Sequence, residues 1–118
     1  MKKVLVVDDA AFMRLTIKNM LSKNGFEVVG EAENGAQAIQ KCTELAPDIV
    51  TLDITMPEMS GIDALREIMK ARPQTNVVMV SALGQEGMVK EAVMLGAKGF
   101  VVKPFKEDII VAALSKFK

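Results

Sequence analysis

The regular alternation of two hydrophobic periods along the chain most strongly constrains the fold. Nearly continuous apolar runs rich in β-branched residues predict buried strands at 4–7, 49–52, 77–80 and 100–102, and a more polar run predicts an edge strand at 26–32. A segment with apolar residues at helical spacing follows each run. Such strand–helix units predict one α/β domain with a parallel sheet, helices on both faces and right-handed crossovers.

The helical segments carry apolar stripes that predict their buried faces. Asn34 with Gln37, and Ser60 with Asp63, predict caps at two helix starts, and Gly96 predicts the end of the helix at 86–95. The predicted stripes are Met13, Ile17, Met20 and Leu21; Ala38, Ile39, Cys42 and Leu45; Ile62, Leu65, Ile68 and Met69; Met88, Ala92 and Leu95; and Ile109, Ala113, Leu114 and Phe117.

Composition excludes several functional classes. Lysines and arginines balance aspartates and glutamates at 15 each, which argues against binding to nucleic acid or to a membrane surface. No apolar run reaches the roughly 18 to 20 residues that cross a bilayer. The chain has no histidine, which excludes histidine-based catalysis and most zinc sites. The single cysteine, Cys42, cannot form an internal disulfide, and this favours a cytoplasmic location.

Polar residues follow four of the predicted strands directly. Asp8 and Asp9 follow the first strand, Asp53 the third, Ser81 the fourth and Lys103 the fifth. Taken singly, each has a simpler interpretation: a helix cap, a turn residue, a structural serine or a solvated lysine. Because the carboxyl ends of parallel strands share one edge of a sheet, their joint occurrence predicts one site.

The residue types at this predicted site favour phosphoryl chemistry on a metal ion. Three carboxylates repel one another unless a cation lies among them, and hard oxygen ligands without histidine or cysteine suit Mg²⁺. A lysine and a serine hydroxyl provide further contacts for a phosphoryl group. Asp53 is then a candidate nucleophile, since carboxylates form acyl phosphates.

Four blocks of the sequence resemble the receiver domain of two-component response regulators: "VLVVDD", "DIVTLDITMPEMSGIDAL", "VVMVSA" and "GFVVKPF". The resemblance covers essentially the whole chain, and "DDAAFMR" and "LDITMPEMSGIDA" are most similar to the stand-alone chemotaxis members. It implies a flavodoxin-like (βα)5 fold with strand order 2-1-3-4-5. We expect residues 1–118 to form a single receiver domain without an output domain, as a monomer.

The resemblance also implies roles for individual residues. Asp53 matches the phosphorylated aspartate, Asp9 a direct Mg²⁺ ligand and Asp8 a neighbour that acts through water. Thr55 stands where the family supplies a metal ligand through its backbone carbonyl. With Leu83, Thr55 is expected to flank the path of the water that attacks the acyl phosphate.

At the other strand ends, Ser81 matches the family's hydroxyl residue and Lys103 its lysine. The bond from Lys103 to Pro104 is expected to be cis. Phe100 departs from the pattern, because many members have a tyrosine there. A phenylalanine can rotate and pack but cannot form a hydroxyl hydrogen bond.

The expected partners follow from the resemblance. They are a sensor histidine kinase of the chemotaxis type, the flagellar motor switch and a possible phosphatase. Val89 and Val93 lie one turn apart, beside the stripe predicted to face the sheet, and Phe100 is expected next to them. This spacing alone is equally compatible with a broad buried stripe. The resemblance favours a partner surface there, on helix four, strand five and helix five.

Three other functions remain open from the sequence. The chain is alternatively a phosphorelay intermediate or a receiver with a non-flagellar partner. The stretch Asp53-Ile54-Thr55 is also weakly similar to phosphatases that form an aspartyl phosphate, but these need a second aspartate where Thr55 stands. A receiver is expected to modify only itself and to hydrolyse its acyl phosphate slowly.

Overall fold

The computed structural model describes residues 1–82 and 85–118, so that Leu83 lies outside the described residues. Within them, strands and helices alternate in the order β1 (Lys2–Val7), α1 (Ala11–Ser22), β2 (Phe26–Ala32), α2 (Gly35–Leu45), β3 (Ile49–Asp53), α3 (Gly61–Ala71), β4 (Asn76–Ala82), α4 (Glu86–Met94), β5 (Gly99–Lys103) and α5 (Glu107–Ser115). All pairings are parallel, and the order is β2-β1-β3-β4-β5. The predicted fold class and strand order are confirmed.

Side-chain caps fix two of the helix starts, as the sequence predicts. The Gln37 N–H donates to Asn34 Oδ1 at 2.8 Å, and the Asp63 N–H donates to Ser60 Oγ at 3.2 Å. Gly96 follows α4 with a φ of 114°, a left-handed conformation that glycine adopts without strain. Among the helices that the structure describes, none combines the length and the apolarity needed to cross a membrane.

Each face of the sheet supports one hydrophobic cluster. Leu5 of β1 and Leu52 of β3 pack towards α2, α3 and α4, whereas Val4 of β1 and Ile49 of β3 pack towards α1 and α5. Strands buried on both faces explain the nearly continuous apolar runs. Cys42 is buried in the first cluster, and burial raises the pKa of its thiol to about 11, so that it stays protonated at neutral pH.

The predicted inward stripe of α4 is wrong at its first residue. Met88 is 44% exposed, whereas Val89 packs on the core with Ala92 and Leu95. Both Met88 and Val89 have helical spacing to Ala92, four and three residues away, so periodicity cannot choose between them. The assignment of Val89 to a face that the sheet does not need is corrected accordingly.

The stripe of α5 needs the same correction. Ile109 is 51% exposed, and the neighbouring Ile110 is fully buried with Leu114. Ala113 and Phe117, also part of the prediction, are partly buried against the same cluster. In this short helix apolar residues occur on every side, and an adjacent isoleucine satisfies the helical spacing equally well.

Candidate functional site

The acidic residues meet at the carboxyl end of the sheet. Asp8 and Asp9 follow β1, and Asp53 is the last residue of the neighbouring β3. One carboxylate oxygen of each lies within 4.8 Å of the others. Asp8 and Asp53 are buried, whereas Asp9 is exposed. We call these three residues the acidic cluster.

Lys103, the last residue of β5, reaches the acidic cluster from the far side of β4. Its Nζ lies 3.0 Å from Asp8 Oδ2 and 3.6 Å from Asp53 Oδ1. Burial acts to lower the pKa of Lys103, but the hydrogen bond to Asp8 and the nearby carboxylates raise it above its usual value. The ammonium group therefore remains charged at neutral pH and compensates part of the negative charge.

The positive charge that the protein supplies neutralises the acidic cluster only in part. Burial, and then repulsion from Asp8 and Asp9, raise the pKa of Asp53 to about 6, although Lys103 and the Thr55 N–H act to lower it. A carboxylate with a raised pKa gains most from an added cation. The oxygen-only donor set fits a small hard ion such as Mg²⁺.

Ser81 lies in β4, beside Asp53 in the sheet but one residue further along. It is 1% exposed and lines a cavity of about 270 Å³ together with Val89, Phe100 and Val102. Phe100 itself is 52% exposed. A small apolar space thus lies between the serine at the site and the aromatic ring on the surface.

Two polar residues near the site had no role predicted for them from the sequence. Gln85 precedes α4; its Nε2 donates to Thr55 Oγ1 at 2.5 Å, and its Oε1 accepts from the Ala82 N–H at 2.6 Å. It joins the chain after β4 to the chain after β3. Arg14 of α1 donates to the carbonyl of Asp8 at 2.7 Å. A glutamine and an arginine in a helical pattern look solvated, and only the tertiary contacts distinguish them.

The surface predicted for a partner is only partly exposed. Val93 and Phe100 are both 52% exposed, and Ile109 of α5 adds a third exposed apolar side chain. Val89 packs partly on the core and lines the cavity below Phe100.

The bond from Lys103 to Pro104 is cis.

The fold and the acidic cluster define a class of protein. The family described as "Response regulator receiver domain" matches residues 4–115, and the chain belongs to this family. The resemblance noted in the sequence is thereby confirmed.

Individual relatives are similar over almost their full lengths. The chain is 57% identical to the chemotaxis protein CheY of Thermotoga maritima, covering 98% of this chain and 96% of the relative. It is 58% identical to CheY of Bacillus subtilis, covering 97% and 95%. Among solved structures, it is similar to a CheX–CheY–BeF3–Mg²⁺ complex from Borrelia burgdorferi, with a TM-score of 0.93, 38% identity, and coverage of 99% of this chain and 90% of that one.

Proposed function

We propose that this protein is a chemotaxis response regulator that becomes phosphorylated on Asp53 by a sensor histidine kinase in the cytoplasm. The observation that carries the proposal is the position of the Asp53 carboxylate. It lies at the end of a central strand, 3.6 Å from the Lys103 ammonium and within 4.8 Å of the other members of the acidic cluster. The high identity to CheY proteins supports a role in chemotaxis.

Asp53 acts as the nucleophile in this proposal. One of its carboxylate oxygens attacks the phosphorus of a phosphohistidine on the kinase, the P–N bond breaks, and the departing imidazole takes up a proton. Later, water attacks the phosphorus, the P–O bond to Asp53 breaks, and inorganic phosphate leaves. Lys103 pairs with a phosphoryl oxygen, and the Ser81 hydroxyl donates a hydrogen bond to another.

The acidic cluster and the backbone carbonyl of Thr55 would hold Mg²⁺. Bound Mg²⁺ supplies the positive charge that neutralises the phosphoryl oxygens during transfer. We assign direct ligation to Asp9 and contact through water to Asp8. The contacts support this division, because the Asp8 carboxylate already accepts from Lys103 at 3.0 Å and from the Ala10 N–H at 2.9 Å. Asp9→Ala should therefore weaken Mg²⁺ binding more than Asp8→Ala.

Incubation with acetyl phosphate and Mg²⁺, followed by intact mass spectrometry, tests the proposal. The wild type should gain one phosphoryl group per chain, EDTA should prevent it, and Asp53→Asn should not gain it at the wild-type rate. Phosphorylation of Asp53→Asn at that rate would rule out the assignment. Continuous release of phosphate in large excess over protein would instead indicate a phosphatase.

The partner surface of the proposed regulator consists of Val93, Phe100 and the adjacent part of α5. The cavity between Ser81 and Phe100 supports a local coupling, in which Ser81 moves towards the phosphoryl group and the Phe100 ring turns inward. Val89 contributes as a wall of this cavity. The proposed partner is a segment of the flagellar motor switch. Phosphorylation tightens its binding by no more than the difference between the free energies with which the segment binds the two conformational states.

Binding of a motor-switch peptide to the phosphorylated protein, measured by calorimetry, tests this surface. Val93→Asp should abolish binding and leave phosphorylation of Asp53 intact. Unchanged binding would place the partner surface elsewhere.

A second partner is proposed by analogy with the Borrelia protein, whose structure was solved in complex with CheX. We propose that a phosphatase binds this chain.

A further inference from the structure

Arg14 is a largely buried arginine beside the acidic cluster, and its hydrogen bonds go to groups other than the carboxylates of that cluster. Its Nη1 donates to the backbone carbonyl of Asp8 at 2.7 Å, and its Nε donates to Glu31 Oε1 at 3.0 Å. The side chain is 15% exposed. One guanidinium thus joins the start of the acidic cluster to strand β2.

The contact with the Asp8 carbonyl restrains the peptide group that joins Asp8 to Asp9. The Asp8 N–H donates to the Ala32 carbonyl at 3.1 Å, beyond the last paired residues of β1 and β2. The Asp8 carboxylate accepts from the Ala10 N–H at 2.9 Å. Because a peptide group is planar, fixing its carbonyl fixes the direction in which the chain enters Asp9. The exposed Asp9 side chain depends on that direction.

Glu31 anchors the other side of the guanidinium. It also accepts from Lys18 Nζ at 2.8 Å. The hydrogen bond from Lys18 lowers the pKa of Glu31 and, against an opposing effect of burial, the one from Arg14 adds to this. Glu31 therefore stays ionised and neutralises Arg14 away from the acidic cluster. Arg14 then needs no carboxylate of Asp8 or Asp9, so its guanidinium does not compete with a cation for the acidic cluster.

We propose that Arg14 is a positioning residue of the metal site, which holds the Asp8–Asp9 peptide so that the acidic cluster is arranged for a divalent cation. This inference rests on the Mg²⁺ binding proposed above. Lys18 provides the matched control, because it lies on the same helix and binds the same Glu31 carboxylate from one turn further along. A general role of α1–β2 ion pairs in stability would involve both side chains.

Calorimetric titration of the metal-free full chain with Mg²⁺ tests the inference. Arg14→Lys should weaken Mg²⁺ binding by about tenfold, the lower end of what changes beside a metal ligand cause. A lysine keeps the charge but lacks the planar fork that reaches both acceptors. Lys18→Met should stay within about twofold of the wild type, since this partly exposed ion pair contributes little and Lys18 does not contact the Asp8–Asp9 peptide. Wild-type affinity in Arg14→Lys would overturn the inference.

Two further measurements separate positioning from folding. Circular dichroism establishes whether each variant is folded. In the acetyl phosphate assay, Arg14→Lys should raise the half-saturating Mg²⁺ concentration and retain the wild-type rate at saturating Mg²⁺. If Arg14→Lys does not fold, Glu31→Gln decides: its Mg²⁺ affinity should fall by more than the roughly twofold allowed for Lys18→Met, and wild-type affinity there overturns the inference. A wild type that binds no Mg²⁺ refutes the proposed function, whereas a binding wild type with an unaffected Arg14→Lys refutes the positioning role alone.

Discussion

The Lys103 ammonium lies 3.0 Å from Oδ2 of Asp8, a carboxylate that is only 1% exposed. The pair joins the end of β5 to the end of β1 across two intervening strands. A buried carboxylate is tolerated only when a charge or hydrogen bonds compensate it. Lys103 is therefore part of the stability of the metal-free protein as well as of the proposed chemistry.

Removal of this ammonium should destabilise the metal-free protein. Lys103→Met leaves Asp8 and Asp53 without their shared cation, and we expect the free energy of unfolding to fall by about 3 kcal/mol. Denaturation in guanidinium chloride at pH 7.5 with EDTA measures this, and Mg²⁺ should restore part of the loss. Lys70→Met is the control, because Lys70 and its partner Glu67 are both exposed to solvent. Equal effects of the two substitutions would contradict the prediction.

The raised pKa of Asp53 predicts a pH-dependent effect of Asp53→Asn. The folded-state pKa of about 6 exceeds the value of about 4 in an unfolded chain, so the folded state binds this proton more tightly. Ionisation of Asp53 therefore costs stability as the pH rises from about 4 to 6, by roughly 2 to 3 kcal/mol in total. Asparagine does not ionise, so Asp53→Asn should stabilise the protein at pH 7.5 more than at pH 4.

Denaturation of both proteins at the two pH values, with EDTA, measures this difference. Saturating Mg²⁺ at pH 7.5 should reduce it, because a bound cation compensates the carboxylate of the wild type. A difference that is the same at pH 4 and pH 7.5 would contradict the prediction.

Gly61 is required because α3 begins directly against the backbone of Asp53. A Cβ at this position would lie 2.0 Å from the Asp53 carbonyl oxygen and 2.7 Å from Ile54 Cα. We expect Gly61→Ala to destabilise the protein by about 3 kcal/mol or more, since backbone cannot move aside cheaply. Gly87→Ala is the opposite case: among the residues that the structure describes, and apart from its chain neighbours and the backbone of α4 itself, nothing lies within 4 Å of a Cβ placed there, and the substitution should stabilise by up to about 1 kcal/mol. Thermal unfolding of both variants checks this contrast.

The sequence predicted the strands and the strand-end residues well because both depend on short-range patterns. A run such as 4–7 is apolar at every position, and this pattern alone predicts a strand that is buried on both faces. The topology of a parallel sheet then brings the residues that follow the strands to one edge. The contacts of Arg14 and Gln85 were not predictable in the same way. Their partners Asp8, Glu31 and Thr55 lie 6, 17 and 30 residues away, and no local pattern specifies which polar side chains meet.

Thr51 has a fully buried hydroxyl in the middle of β3. It is 0% exposed, and its Oγ1 has no hydrogen-bond partner in the part of the chain that the structure describes. Its neighbours in register, Val6 and Val78, belong to the apolar cluster under α1 and α5. Thr51→Val should therefore stabilise the protein by about 1 kcal/mol, because it replaces an unpaired hydroxyl with a methyl group. Thr51→Ser, which keeps the hydroxyl and loses the methyl group, should destabilise it; the reverse order in chemical denaturation would contradict the prediction.

The corrected register of α4 predicts that its two valines respond differently to a charge. Val89 packs on the core and lines the cavity below Phe100, whereas Val93 is 52% exposed. An aspartate at position 89 brings a carboxylate into apolar surroundings, so Val89→Asp should lower the free energy of unfolding by about 2 kcal/mol. Val93→Asp reaches water and should change it by less than about 0.5 kcal/mol. Chemical denaturation distinguishes the two, and equal losses would restore the sequence-based assignment of both valines to one surface. The binding experiment on the partner surface therefore needs Val93→Asp alone, because loss of binding in a Val89 variant would also follow from partial unfolding of α4.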